Sequence, residues 1–263
     1  MNLENILEDL QNGKISIKEA KKLLSLYSVE KINNTMKLDI GRTCRRSIPE
    51  IIYAEPKQFI DITKATKKIL EKSNSAIISR LKKLDYDEIT KYIQKNKWML
   101  KTGKNTTSVL IHKNIIKYGA GRIGILTAGT ADIGVAEEAR LMCEAMNCEC
   151  ICDYDVGVAG IHRLFPAIKK IIKKDASVII VVAGMDGALA SVVSSLVNIP
   201  VIGVPTSIGY GYGKNGMAAL ASMLQSCSPG LAVVNIDNGI GAGAIASNIA
   251  NNTKSNVNYS KIG

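Results

Sequence analysis

Cys227 stands in Gln225-Ser-Cys-Ser-Pro-Gly-Leu-Ala-Val-Val-Asn-Ile-Asp-Asn-Gly-Ile-Gly-Ala-Gly243, a cysteine ahead of a short apolar run and a glycine-rich turn. A cysteine both attacks an electrophile and leaves it well, provided enough of it is thiolate. The stretch reads as a reactive thiol beside a nucleotide cradle, with a helix terminus or Lys214 as the source of activation; the plainer alternative is a small buried hydrophobe. His162, one of two histidines, sits beside Arg163 and suits either proton transfer or a helix start that merely packs. Arg42, Arg45, Arg46 and Lys57 fall within one mixed segment, residues 38–57, and offer either a phosphate or carboxylate grip or a solvated basic loop. Cys148, Cys150 and Cys152 alternate along an expected strand; their spacing favours a packing row over a zinc site.

These residues need elements to hold them. Residues 1–118 carry 24 Lys+Arg against 13 Asp+Glu, whereas residues 119–263 carry 10 of each, so the whole net charge of +11 belongs to the first part. Of 22 glycines, only Gly13, Gly41 and Gly103 precede position 119. Both asymmetries predict a smaller basic N-terminal α/β domain over 1–118, a second domain over 119–252, and a polar tail over 253–263. Aromatic residues are 5% of the chain, too few to stack many bases, so the lysines read as solvated faces and nucleic acid is not the expected partner. No apolar run is long enough to cross a bilayer and residues 1–20 are charged throughout, so the expectation is a cytoplasmic chain with reduced thiols and no membrane partner.

In the first domain, residues 3–10 and 16–24 predict a helical hairpin, with Ser16 and Glu19 at capping-box spacing. From Arg122 onward, apolar runs of strand length alternate with amphipathic helices. This predicts an α/β fold: a doubly wound, mostly parallel sheet in a three-layer arrangement. The run Leu231 to Ile236 reads as a strand buried on both faces. Such sheets bind ligands at the carboxyl ends of their strands, and the unusual residues fall at those ends. Gly129, Thr130 and Asp132 follow the first strand, where a loop and helix start make a phosphate nest. Arg163 follows the second strand; Gly184, Met185, Asp186 and Gly187 follow the third; Asn235, Asp237 and Gly239 follow the last. Neither G-x-G-x-x-G nor G-x-x-x-x-G-K-[ST] is present.

Residues 119–250 resemble the phosphoribosylaminoimidazole carboxylase fold (PurE-like, flavodoxin-like) at Ala128-Gly-Thr-Ala-Asp132, Val158-Ala-Gly-Ile-His-Arg163 and Ala183-Gly-Met-Asp-Gly-Ala-Leu189. The whole chain, including the arginine segment and the run from Cys227 to Gly243, more closely resembles LarB, the family of nickel-pincer nucleotide cofactor biosynthesis proteins. The family resemblance implies carboxylation of the pyridinium ring of nicotinic acid adenine dinucleotide by CO₂ or bicarbonate. It also implies phosphoanhydride cleavage, giving a biscarboxylated pyridinium mononucleotide and AMP. It implies a covalent role for Cys227 and an acidic residue for hydrolysis at Asp186, where the family usually has Glu. His162 would move the ring proton or hold CO₂. Mg²⁺ carried by the phosphates is the implied cofactor, with Asp186 a candidate ligand. A homo-oligomer, an octamer by PurE resemblance, is implied as well. Ala190, Ala54 and Pro56 depart from the family pattern. The rival readings are an imidazole-ribotide carboxylase or mutase, which needs no thiol, a basic RNA-binding protein, and a non-catalytic nucleotide-binding protein.

Overall fold

The computed structural model describes residues 3–25, 29–31, 37–39, 41–119 and 121–259. The chain divides into two compact units, one of residues 1–100 with 111–114 and one of residues 101–110 with 115–263. The segment 101–110 thus goes with the second unit, although charge and glycine content alone place it in the first.

In the first unit, α1 (Leu3–Gln11) and α2 (Ile17–Leu24) form the hairpin. The capping box is complete: the Glu19 amide donates to Ser16 Oγ at 3.2 Å and the Ser16 amide to Glu19 Oε2 at 2.8 Å. Strands β1 (Val29–Lys31) and β2 (Lys37–Asp39) pair antiparallel, and Arg42–Arg46 form one helical turn, α3. Strands β3 (Ile51–Tyr53) and β4 (Ser75–Ser79), with β5 (Met99–Thr102) and β6 (Val109–His112), whose residues 101, 102, 109 and 110 are counted with the second unit, make a sheet in the order β3-β4-β6-β5. Helix α4 (Phe59–Lys72) buries Ile62, Ala65, Thr66, Ile69 and Leu70, one face at three- and four-residue spacing. Helix α5 (Tyr86–Lys95) likewise buries Ile89 and Ile93. Each buried isoleucine or leucine contributes about 1.5–3 kcal/mol over an exposed one.

The second unit is a five-stranded sheet of β7 (Arg122–Thr127), β8 (Glu149–Asp153), β9 (Val178–Ala183), β10 (Val201–Pro205) and β11 (Leu231–Val233), in the order β11-β10-β9-β7-β8. All four pairings are parallel. Counted within the unit this is the flavodoxin-like order 2-1-3-4-5, whose direction reverses between β7 and β9. Alternate residues feed two cores. Ile123, Ile125, Val178, Ile180, Val182, Ile202 and Val204 pack under α6 (Ile133–Ala145) and α10 (Gly239–Tyr259). Leu126, Ile179, Val181 and Val201 pack under α7 (Leu164–Lys173), α8 (Ala188–Leu196) and α9 (Met217–Leu224). The doubly wound three-layer expectation holds. Cys148, Cys150 and Cys152 all face the α6 and α10 core, as a packing row should.

Two details differ from the sequence reading, and a third was not anticipated by it. Strand β11 lies at the sheet edge rather than buried on both faces: Leu231 and Val233 are half-buried and Ala232 is exposed. Its apolar run reflects something other than enclosure between two strands. Helix α10 runs to Tyr259, past residue 252 where a tail was expected, while 260–263 lie outside the described residues. The outer face of α6 carries three buried carboxylates, Glu137, Glu138 and Glu144. Arg140 bridges two of them, Nη2 to Glu137 Oε2 at 2.6 Å and Nη1 to Glu144 Oε1 at 2.7 Å. Lys101 Nζ reaches Glu144 at 2.8 Å, the Tyr154 hydroxyl donates to Glu137 at 2.7 Å, and Ser108 Oγ donates to Glu138 at 2.7 Å. This network seats segment 101–110 on α6. Burial pushes the Glu137 carboxyl up, but Arg140 and the Tyr154 hydroxyl outweigh it and hold the group below the usual range.

Candidate active site

Parallel connectivity delivers the loops after β7, β8, β9, β10 and β11 to one end of the sheet, and the structure ties them together there. Asp132 is the joint. Its side chain is buried, with Oδ2 accepting the Gly129 amide at 2.9 Å and Oδ1 the Thr206 hydroxyl at 2.7 Å. The Gly184 amide also donates to this carboxylate. Loops after β7, β9 and β10 therefore meet on one side chain, at the point where strand order reverses. Burial raises the Asp132 pKa; the hydrogen bonds from Thr206, Gly129 and Gly184 work against it, and nearby Asp237 adds to the rise. Asp237 joins the fifth loop to the fourth, its Oδ1 accepting the Ser207 amide at 2.9 Å. The second loop is tied to the first, since the Asp155 amide donates to buried Thr127 Oγ1 at 3.0 Å.

The third loop is built for close approach. A Cβ at Gly184 would lie 2.2 Å from the Ile208 carbonyl oxygen, and Gly187, at φ +66°, faces the Ala219 carbonyl. Met185 between them takes φ 53°, rare for a residue with a side chain, and is exposed. Asp186 is exposed beside it, and its Oδ1 accepts the Ala188 amide at 3.2 Å, an Asx-turn just ahead of α8.

The sequence candidates separate into groups. Gly129, Thr130, Asp132, Gly184, Met185, Asp186, Gly187, Asn235 and Asp237 share the carboxyl-end crevice, with His162 and Arg163 in the 3₁₀ turn of the second loop. His162 is exposed; Arg163 Nη1 pairs with Asp155 Oδ2 at 2.6 Å, so its charge is partly committed. Gly239 belongs to packing: it is buried, and a Cβ there would meet the Val135 carbonyl of α6 at 2.2 Å. Arg42, Arg45, Arg46 and Lys57 lie in the first unit. Arg45 forks onto both oxygens of Asp39 and donates to the Ser25 carbonyl, and Arg42 is 3.6 Å from Glu50, whose carboxyl burial pushes up. Two of the expected anion-gripping arginines thus hold their own domain together. Only Arg46 is exposed.

Cys227 is exposed, which disposes of the buried-hydrophobe alternative, but it is not beside the cradle within its own chain. It precedes β11 while the glycine turn follows it. The Val201 amide pairs with the Gly230 carbonyl at one end of β10, and the Asp237 amide with the Pro205 carbonyl at the other. Five residues of strand, about 16 Å, separate the two levels. The helix terminus next to Cys227 is the carboxyl end of α9, whose partial negative charge disfavours a thiolate, and Lys214 lies at the opposite end of that helix.

Thr206 lies in the unusual stretch Pro205 to Gly213 at the end of the fourth strand but was not among the candidate site residues. A threonine directly after an apolar strand end, in a loop aimed at the crevice, was the available signal. Among the described residues no group of three or more His, Cys, Asp or Glu is placed to hold a metal ion. The chain's own donors therefore fit Mg²⁺ only as an ion borne by substrate phosphates, with Asp186 to add one oxygen. Among the described residues no helix is long and apolar enough to cross a membrane.

Comparison with known proteins agrees with this architecture. Residues 122–261 match the AIR carboxylase family and residues 29–107 the LarB/PurE-like N-terminal domain. A protein of Methanocaldococcus jannaschii described as uncharacterized is 49% identical over 251 residues, 95% of this chain and 97% of its own length. The N5-carboxyaminoimidazole ribonucleotide mutase of Thermotoga maritima is 31% identical over 49% of this chain and 74% of its own. The mutase of the same name from M. jannaschii is 34% identical over 47% and 75%. These matches support a carboxylase of LarB or PurE type, and the chain belongs to the AIR carboxylase family as a LarB-like member, with a LarB/PurE-like N-terminal domain ahead of its PurE-like one.

Proposed function

We propose that the protein carboxylates the pyridinium ring of nicotinic acid adenine dinucleotide and cleaves its phosphoanhydride, releasing AMP and pyridinium-3,5-biscarboxylic acid mononucleotide. The observation that carries this reading is an exposed Cys227 in a chain whose N-terminal domain is of the LarB type. A pyridinium ring is too electron-poor to attack CO₂. Addition of the Cys227 thiolate to a ring carbon removes the positive charge and leaves an enamine, whose nucleophilic carbon forms the new C–C bond to CO₂. Loss of the proton from that carbon and departure of the thiolate restore the aromatic cation, so the balance is one CO₂ consumed and one proton released. His162, exposed at the mouth of the second loop, is the group to accept that proton.

The loop amides at Gly129 and Gly184 are taken up by Asp132, so the diphosphate rests on other crevice groups, the exposed Thr130 and Arg163 among them. Asp186 orients the water that cleaves the phosphoanhydride, and bound Mg²⁺ would neutralise charge on the departing phosphate. The mutases among its relatives favour a second reading, imidazole-ribotide carboxylation, in which Cys227 is dispensable. Incubation with the dinucleotide and bicarbonate separates the two. Mass spectrometry should find AMP and a ligand-sized adduct on the wild-type protein, and neither on Cys227→Ser. Undiminished product from Cys227→Ser refutes the thiol mechanism.

A further inference from the structure

We infer that the amino-terminal helix α1 of one copy of the chain docks into the apolar groove between α7 and α8 of a second copy. The contact does not depend on the chemistry proposed for the crevice.

The groove is written in the sequence of α7, Leu164-Phe-Pro-Ala-Ile-Lys-Lys-Ile-Ile-Lys173. Leu164, Ala167 and Ile171 turn inward to the core. A second apolar stripe, Phe165, Ile168 and Ile172, is left on another side of the helix at three- and four-residue spacing, and Leu196 at the end of α8 joins it. Phe165 is 53% exposed, Ile172 44% and Leu196 47%. Single exposed apolar side chains are ordinary, but a row of them with a second wall marks an interaction site. The groove is also basic, since Lys169 and Lys173 line it one helical turn apart.

An occupant must therefore be apolar along one stripe and acidic beside it, and α1 has that character. Residues 1–13 hold Glu4, Glu8 and Asp9 and no lysine or arginine, at the head of the part that carries the whole net charge of +11. The helix buries Ile6 yet leaves Leu3 and Leu7 exposed, one turn apart, with Glu4 and Glu8 next to them in sequence. The spacings correspond. Leu3 to Leu7, Glu4 to Glu8 and Lys169 to Lys173 each cover four residues, about 6 Å along a helix axis. The two leucines can thus seat against Phe165, Ile168 and Ile172 while the two carboxylates reach the two lysines at the rim, an amphipathic helix laid in a groove. Both surfaces are exposed in the single chain, and a second copy supplies each with its complement. A helix of nine residues covers less than the roughly 1,200 Å² of a stable interface, so this contact is a weak one that forms where copies are concentrated or held together by other surfaces.

Zero-length carbodiimide crosslinking tests it. Two variants are co-expressed under different affinity tags, one with Lys169→Ala and Lys173→Ala, the other with Glu4→Gln and Glu8→Gln. All four positions are exposed, so neither variant disturbs the core. In material crosslinked and then purified through both tags, a bond from Glu4 or Glu8 to Lys169 or Lys173 can join only different copies. Peptide mass spectrometry should find it there and in the wild-type protein, and in neither variant expressed alone. Leu7→Lys and Phe165→Asp each set a like charge against the partner's and should lower the wild-type yield at least about tenfold. Leu84→Glu, at a leucine 90% exposed elsewhere, should leave the yield unchanged. The docking is overturned if the wild-type protein gives no such crosslink, if α1 crosslinks only to other lysines, or if Leu7→Lys and Phe165→Asp keep the full yield. A crosslink present in wild type but absent from the co-expressed pair assigns the groove to the same chain's helix and overturns it as well. None of these readouts uses turnover, so the functional reading stands or falls separately.

Discussion

Replacing Thr206 by valine removes one atom's worth of hydrogen bonding from the joint of the crevice while nearly conserving volume. Thr206 is fully buried, and its hydroxyl is 2.7 Å from Oδ1 of an Asp132 that is itself 3% exposed. Losing a donor to a buried carboxylate costs about 2 kcal/mol, which for a unit of this size lowers Tm by about 4–8 °C. The sign of the pH dependence follows from the elevated Asp132 pKa. A carboxyl whose folded pKa exceeds its unfolded value stabilises the fold in its protonated form. That contribution is complete below the unfolded pKa, about 3.9, and is lost as pH rises through the folded value. Without the Thr206 hydroxyl, which opposes the rise, the folded pKa climbs further and more stability is lost over the same ascent. Thermal unfolding of wild type and Thr206→Val followed by circular dichroism from pH 3.5 to 8 should show a gap that is small in acid and widens toward neutrality. A gap independent of pH, or one below about 0.5 kcal/mol throughout, refutes the assignment of Asp132 as an ionised, buried joint.

Other substitutions probe other parts of the argument. Gly187→Ala combines a left-handed backbone with a Cβ 2.8 Å from the Ala219 carbonyl, so the urea midpoint should correspond to a loss of about 1–3 kcal/mol. Arg140→Met leaves Glu137 and Glu144 buried without their shared cation; the expected cost is about 3–5 kcal/mol, with faster hydrogen exchange over residues 101–110, and wild-type exchange there would show the network is not what seats that segment. Iodoacetamide at pH 8 should label Cys227 well before Cys148 and Cys152, which burial pushes up to about 11. Equal labelling of Cys152, read by peptide mass spectrometry, contradicts that burial. Asp186→Asn should leave stability within about 0.5 kcal/mol while AMP release falls at least about tenfold and the cysteine adduct still forms.

Much was legible in the sequence because it is local. Strand and helix follow from apolar spacing over a handful of residues, and parallel connectivity then obliges Gly129, Asp132, Gly184, Asp186 and Asp237 to gather at one sheet end. The Ser16–Glu19 box and the cysteine row of β8 were readable for the same reason. What the chain could not declare locally was which strands become neighbours and what each side chain meets there. Asp132 and Thr206 are 74 residues apart and touch only because β7 and β10 both flank β9. Arg45 finds Asp39 rather than a ligand, and Gly239 finds the α6 backbone. Cys227 and the glycine turn are close in sequence and far in space because a strand intervenes between them, and a strand keeps its two ends apart.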